Sequence, residues 1–267
     1  MDSTPHGAAI TAVGLGLKGP RGWVFRDVDI DAPPGSLVAV EGPSGSGRTC
    51  LLLALAGRMR ITEGRATVGG QALPGRMPAV RRSSALAHVP GVCELDPALT
   101  VAEHLRERML LQRRFGGSPL ALFRRRAARS DDRARTTAVL AAAGLDTAEL
   151  PKGADTAVRD LGRLEALRLS LALALVGGPR LIAVDDTDLK LSDAERDSAW
   201  ELLRALAAGG TTVLAVCSRA PGGAVVVPTA PAARDAAGRP APSPRRTTVG
   251  RLRKGGAADA LPATGRA

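Results

Sequence analysis

The stretch "EGPSGSGRTC", residues 41–50, constrains this chain more than any other. Gly42 and Gly47 enclose four residues and are followed by Arg48 and Thr49, the spacing of a phosphate-binding loop with arginine where the pattern asks for lysine. Upstream, "SLVAV" (Ser36–Val40) has the apolar, β-branched character of a strand. Downstream, "LLLALAG" (Leu51–Gly57) reads as an apolar helix closed by glycine. A glycine-rich turn thus joins a strand to a helix. Gly42, Gly45 and Gly47 accept backbone angles that other residues resist, so successive N–H groups can converge on phosphate oxygens with the helix N-terminus behind them. Thr49 offers a hydroxyl to Mg²⁺, and Arg48 supplies positive charge. The plain alternative, a serine- and glycine-rich linker, does not account for the flanking strand and helix.

A second segment supplies what such a loop needs opposite it. In "RLIAVDD", four apolar residues (Leu181–Val184) form a buried-type strand that delivers Asp185 beside the phosphates as a magnesium ligand. Asp186 follows as a candidate general base. Alone, the two acids would equally suit a solvated strand end or the cap of a turn. Elsewhere, "EGRATVGGQALP" reads as a strand and tight turn, and "ALAHVP" (Ala85–Pro90) as a strand ending at proline. The pattern is helical from Thr100 to about Leu145, interrupted by "GGSP", and helical again from Leu161 to Val176. "SDAERDSAWELLRALAAGG" is a capped amphipathic helix and "TTVLAVC" a buried strand. Strands alternating with helices predict an α/β fold with a mainly parallel sheet covered on both faces.

The chain has 267 residues, 45% of them hydrophobic, which suffices for one sizeable α/β core. Aromatics make up 2% and tyrosine is absent, so aliphatic side chains must build that core. Cys50, Cys93 and Cys217 have no metal-ligand spacing and read as reduced, buried thiols. "MDSTPHGAAI" lacks the basic and apolar regions of a secretory leader, and no apolar stretch approaches the roughly 18 to 20 residues that span a bilayer. Net charge is +11, concentrated in two places: residues 104–135 hold ten basic against three acidic side chains, and residues 219–267 nine against two. Such clusters can meet nucleic acid or acidic headgroups, but the first carries only Phe115 and Phe123, without a pattern that suggests base stacking, and a solvated helix face is the preferred reading of it. From Pro228 the composition turns to Pro, Ala, Gly and Arg without apolar period, so 228–267 is expected to be a disordered tail. Its "LPATG" (Leu261–Gly265) looks like a sortase sorting signal, but only "RA" follows, and it is read as chance.

In the order of these elements the chain resembles the nucleotide-binding domains of ATP-binding-cassette (ABC) transporters, from about Ile10 to Ser218. "VFRDVDIDAPPGSLVAVEGPSGSGRT" is similar to the family's opening strands and Walker A, "ALAHVPGVCELDPALTVAEHL" to its Q-loop region, "LGRLEALRLSLALALVGGPRLIAVDD" to its signature helix and Walker B, and "TVLAVCSR" to the strand carrying its switch histidine. The contents of the motifs depart from the family. Arg48 replaces lysine, and Gly91 stands where the coupling glutamine is expected. The signature has become Leu161, Gly162, Arg163, Leu164 and Glu165. Asp186 replaces the glutamate that polarises water, Ser192 the D-loop aspartate and Ser218 the switch histidine. The aromatic that stacks on adenine is displaced, with Trp23 the nearby candidate.

The resemblance implies a P-loop NTPase core with an antiparallel β edge, an inserted helical subdomain near 98–160, and an ATP-binding domain over 1–227. It implies a cradle for ATP at Gly42, Ser44, Gly45, Ser46, Gly47, Arg48, Thr49 and Cys50, with Mg²⁺ on Thr49 and Asp185. Asp186 and Ser218 fall at the catalytic positions. It further implies an ATPase subunit with impaired hydrolysis, cytoplasmic and peripheral to the inner face of the membrane, working with a separate transmembrane subunit and a second nucleotide-binding domain. Arg163 and Glu165 are candidates for a contact across that dimer, or simply a charged helix start. Two rivals stand beside this reading: a non-hydrolysing regulatory or scaffold protein on the same fold, and a soluble cassette acting on nucleic acid.

Overall fold

The structure, a computed structural model, describes residues 6–116, 127–187 and 190–230. Expectations for the tail from 231 onward, including "LPATG", and for most of the "GGSP" interruption fall outside these residues.

The centre is a five-stranded, wholly parallel sheet in the order β6 (Ser84–Leu86), β7 (Leu181–Val184), β8 (Thr212–Cys217), β3 (Leu37–Glu41), β9 (Val225–Pro228). Because side chains alternate along a strand, each central strand feeds two cores. Val38, Val40, Leu181, Ala183, Leu214 and Val216 face one, shared with α1 (Arg48–Leu55); Leu37, Ala39, Ile182, Val184, Val213 and Ala215 face the other, shared with α5 (Arg163–Leu175) and α6 (Asp193–Ala208). Burial on both faces explains why β7 and β8 are unbroken apolar runs. The first core is closed by an antiparallel sheet in the order β2 (Gly22–Ala32), β1 (Ile10–Gly19), β4 (Glu63–Val68), β5 (Gln71–Leu73). The α/β class, the parallel sheet and the antiparallel edge are as the sequence implied.

Between β6 and α5 run α3 (Val101–Gly116), α4 (Ala127–Ala142) and short turns, with α3 and α4 packed on α5; α2 (Met77–Ser83) precedes β6. Three expectations are adjusted. The strand placed at 85–90 is assigned at 84–86, although Ala87 N–H to Ala183 O (2.9 Å) and Asp185 N–H to His88 O (2.7 Å) continue its pairing before the chain turns at a Val89–Cys93 bridge. Strand β9, not expected, takes in Pro228, so the described fold runs past the boundary placed at 228. Of the three cysteines all are free, but only Cys217 is buried; Cys50 and Cys93 are half-buried. No helix among the described residues is long and apolar enough to cross a membrane.

Candidate functional site

The loop 42–47 leaves the C-terminal end of β3 and enters α1, at the carboxyl edge of the parallel sheet where open α/β folds bind ligands. Gly45 and Gly47 both adopt φ +81°, a left-handed conformation that disfavours a side chain. Gly42 is needed for another reason, close approach: a Cβ there would overlap the hydroxyl and carbonyl oxygens of Thr229 and lie 2.8 Å from Ser46 Oγ. Gly47 is the N-cap of α1, without a side-chain cap, and the first helical bond runs from Leu51 N–H to Gly47 O at 2.9 Å. The N–H groups of residues 47–50 therefore precede the helical ladder and form a positive helix terminus. Ser46 is tied into the fold at both ends of the residue. Its N–H bonds Pro43 O at 3.2 Å, and its side chain is fully buried under the loop.

Two side chains stitch the loop and α1 to neighbouring strands. Arg48 Nη1 donates to the Cys217 carbonyl at 2.6 Å, reaching the last residue of β8, directly before Ser218. A guanidinium has five donors in a planar fork, so this bond leaves others for anionic oxygens. Thr49 Oγ1 donates to Asp185 Oδ2 at 2.5 Å, and the other oxygen, Oδ1, accepts the Asp186 N–H at 2.9 Å. Asp185 is only 3% exposed. A hydroxyl and a buried carboxylate in contact are hard oxygen donors of the kind that hold Mg²⁺ together with phosphate oxygens and water. Cys50, next along α1, has its thiol pushed up from the ordinary range by burial and then by the Asp185 charge, which keeps it protonated and unreactive.

Asp186 adopts φ +51°. Aspartate tolerates this left-handed region better than glutamate, whose longer chain cannot bond its own backbone as readily. Ser218 follows β8, and the loop beyond it is tied back to β3 by Ala220 N–H to Glu41 Oε2 at 3.1 Å.

The residues read in the sequence as signature and D-loop are engaged locally. Gly162 is the N-cap of α5, and its N–H donates to Glu165 Oε2 at 2.6 Å. Ser192 caps α6: its N–H and hydroxyl donate to Glu195 Oε2 at 2.8 and 2.6 Å, and Glu195 N–H donates back to Ser192 Oγ at 3.3 Å. For Glu165 the helix-start reading therefore accounts for its contact. Gly91 sits in the turn closed by Val89 and Cys93, its N–H on Glu94 Oε1 at 2.9 Å. Trp23 lies near the start of β2, packed on Gly16, with Lys18 Nζ 5.5 Å and Arg26 Cζ 5.3 Å from its ring centroid. The sequence reading missed Thr229, which forms the floor of the loop; nothing in the local pattern "VVVPTA" marks it.

Comparison with known proteins identifies the family and the fold. Residues 25–188, more than half the chain, match the family model described as ABC transporter. The Nod factor export ATP-binding protein I of Cupriavidus pinatubonensis is 32% identical over 191 residues, covering 72% of this chain and 53% of that protein. The Fe(3+) ions import ATP-binding protein FbpC of Streptomyces avermitilis is 35% identical over 195 residues, 72% of this chain and 50% of that one. The chain thus spans about half the length of these relatives. Among solved structures, the dimeric post-hydrolysis state of the cassette MJ0796 bound to ADP and Pi aligns with a TM-score of 0.59 at 20% identity, covering 79% of this chain and 88% of that one. The cbiO1 structure from Clostridium perfringens aligns at 0.61 and 15% identity, covering 79% and 78%. At these identities the structural matches speak for the fold.

Proposed function

The chain belongs to the ABC transporter family, and on that premise we propose that it is the ATP-binding subunit of a transport system. Its work is to bind Mg-ATP, pair with a second nucleotide-binding domain and act on a separate transmembrane subunit at the cytoplasmic face. The observation that carries this reading is the contact between Thr49 and Asp185, which joins the glycine loop to the end of β7 as a ready pair of magnesium ligands. The residues of the loop fit the phosphates. Backbone N–H groups at the start of α1 meet the oxygens, with Gly42, Ser44, Gly45, Gly47 and Cys50 shaping the path. Ser46 anchors the loop from below. The Arg48 fork, while holding Cys217, has donors left for the β- and γ-phosphates, and Thr49 and Asp185 would hold Mg²⁺, which would supply neutralising charge there. Asp186 orients water for attack on the γ-phosphate, with Ser218 at the switch position. The described residues between 98 and 160 make up an inserted helical subdomain.

Hydrolysis is slow, because the groups that act on water and on the opposite γ-phosphate are changed together. Named relatives act in export and in import, so the direction of transport does not follow from kinship. A second reading, a non-hydrolysing regulatory cassette, draws on the local capping at Gly162 and Ser192. Calorimetric titration with Mg-ATP, followed by phosphate release with and without a transmembrane partner subunit, separates the two. Binding with turnover that rises in the presence of that subunit supports the transport reading; binding without turnover in either condition supports the regulatory one; absence of binding defeats both.

A further inference from the structure

Thr229 stands just after β9, 183 residues from Ser46 in sequence, yet the two hydroxyl oxygens are 2.7 Å apart beneath the loop. The Thr229 N–H and hydroxyl both donate to the Glu41 carbonyl at the end of β3, at 2.7 and 3.0 Å. A hydroxyl has one proton, so with that of Thr229 on Glu41, the Ser46 hydroxyl donates to Thr229. Ser46 is fully buried and Thr229 is 7% exposed, so water does not compete for this relay. Ser46 lies between two glycines at φ +81°. Glycine has little intrinsic preference among backbone paths, and a loop built on two of them needs an outside restraint to hold its N–H groups in one direction.

We propose that Thr229 is a positioning residue for the phosphate loop: through Ser46 it fixes the Gly45–Gly47 turn and hence the aim of the N–H groups that open α1. The inference rests on the nucleotide reading of that loop only for its effect on affinity. The close approach at Gly42 is the complementary half of the same device, since a side chain there would expel Thr229 from its seat. The pairing of Pro228 with Glu41 sets the register that brings Thr229 to the loop. An edge strand outside the motif segments thereby shapes the phosphate site.

The test uses the full chain as wild type, Thr229→Val, Thr229→Ser and Ser46→Ala. Amide hydrogen exchange over residues 42–50 without nucleotide is read against exchange over 212–217, and Mg-ATP affinity is measured in parallel. Thr229→Val should speed exchange in the loop about tenfold, the size of one lost buried hydroxyl bond, with 212–217 unchanged. It should weaken Mg-ATP by a similar factor. Thr229→Ser should stay within about twofold of wild type on both readings. Loop exchange equal to wild type in Thr229→Val would overturn the proposal. So would an equal rise across 212–217, which is general destabilisation, or a Thr229→Ser that behaves as valine does. If Thr229→Val fails to fold, Ser46→Ala decides: a loosened loop supports the relay and an unchanged loop defeats it. A wild type that does not bind Mg-ATP would sink the nucleotide reading, while the exchange comparison still decides the anchor.

Discussion

The phosphate loop and the two helix starts at Gly162 and Ser192 use polar groups in opposite ways. Around the loop, bonds run far across the chain: Arg48 to Cys217, Thr49 to Asp185, Ser46 to Thr229. At α5 and α6, Gly162 pairs with Glu165 and Ser192 with Glu195, each three residues apart. Long-range bonds hold a site in place relative to the sheet, whereas local caps only end a helix. Each capping glutamate uses one oxygen on its own helix start, and the other keeps its capacity to accept. The contrast separates a loop tied to the sheet by distant partners from helix starts closed by their own neighbours.

The sharpest way to break this contrast is Arg48→Ala. Loss of a charge-assisted phosphate contact should weaken Mg-ATP about 10- to 150-fold, or about 1.5–3 kcal/mol, against little change in Trp23→Ala. Equal affinities for wild type and Arg48→Ala in a titration would remove the loop from the binding site.

The next effect is on turnover. Removing one aligned transition-state contact typically costs about 10²–10³ in rate, and groups acting as a unit are strongly non-additive. Asp186→Glu with Ser218→His should raise steady-state phosphate release about tenfold, more than either single change and more than Arg48→Lys. The gain is held down by the left-handed backbone at residue 186, which glutamate occupies less readily. Arg48→Lys alone restoring full turnover would put the lesion in the loop and erase the division.

Ser192→Ala tests the other half. Loss of a helix cap should lower folding stability by about 1 kcal/mol in a denaturant titration while leaving Mg-ATP affinity of the isolated chain unchanged. A fall in affinity without a fall in stability would make Ser192 part of the site.

The smallest effect is on acid stability. Bonds from the Ser192 hydroxyl and then its N–H hold the Glu195 carboxyl below its ordinary value, and bonds from the Thr100 N–H and then its hydroxyl do the same for Glu103. A carboxylate with a depressed folded value contributes stability that is present above its unfolded value and disappears as the pH falls through the folded one. Wild type should therefore lose melting temperature more steeply than Ser192→Ala below pH 4.5, the ordinary glutamate value. Parallel curves would show that the cap does not depend on the charge.

Much of this was legible in the sequence wherever neighbours in the chain decide the outcome. The loop is marked by glycine spacing, the buried strands by unbroken apolar runs, and α6 by Ser192 and Glu195 three residues apart. Asp185 could be placed because a buried strand carries its terminal residue to the edge of the sheet. The same local logic failed for "VVVPTA", where a short apolar run before a disordered-looking composition gave no sign that β9 completes the sheet.

By itself, then, the sequence determined the α/β class, the phosphate-loop spacing and the helix caps, since each depends on residues within a few positions of one another. Only the tertiary structure decided what the loop touches. Cys217 and Thr229 reach it because β3 lies between β8 and β9, with Glu41 in register with Cys217 on one side and Pro228 on the other. That order is fixed by packing two apolar faces at once, a condition summed over the whole sheet that no short stretch of residues records.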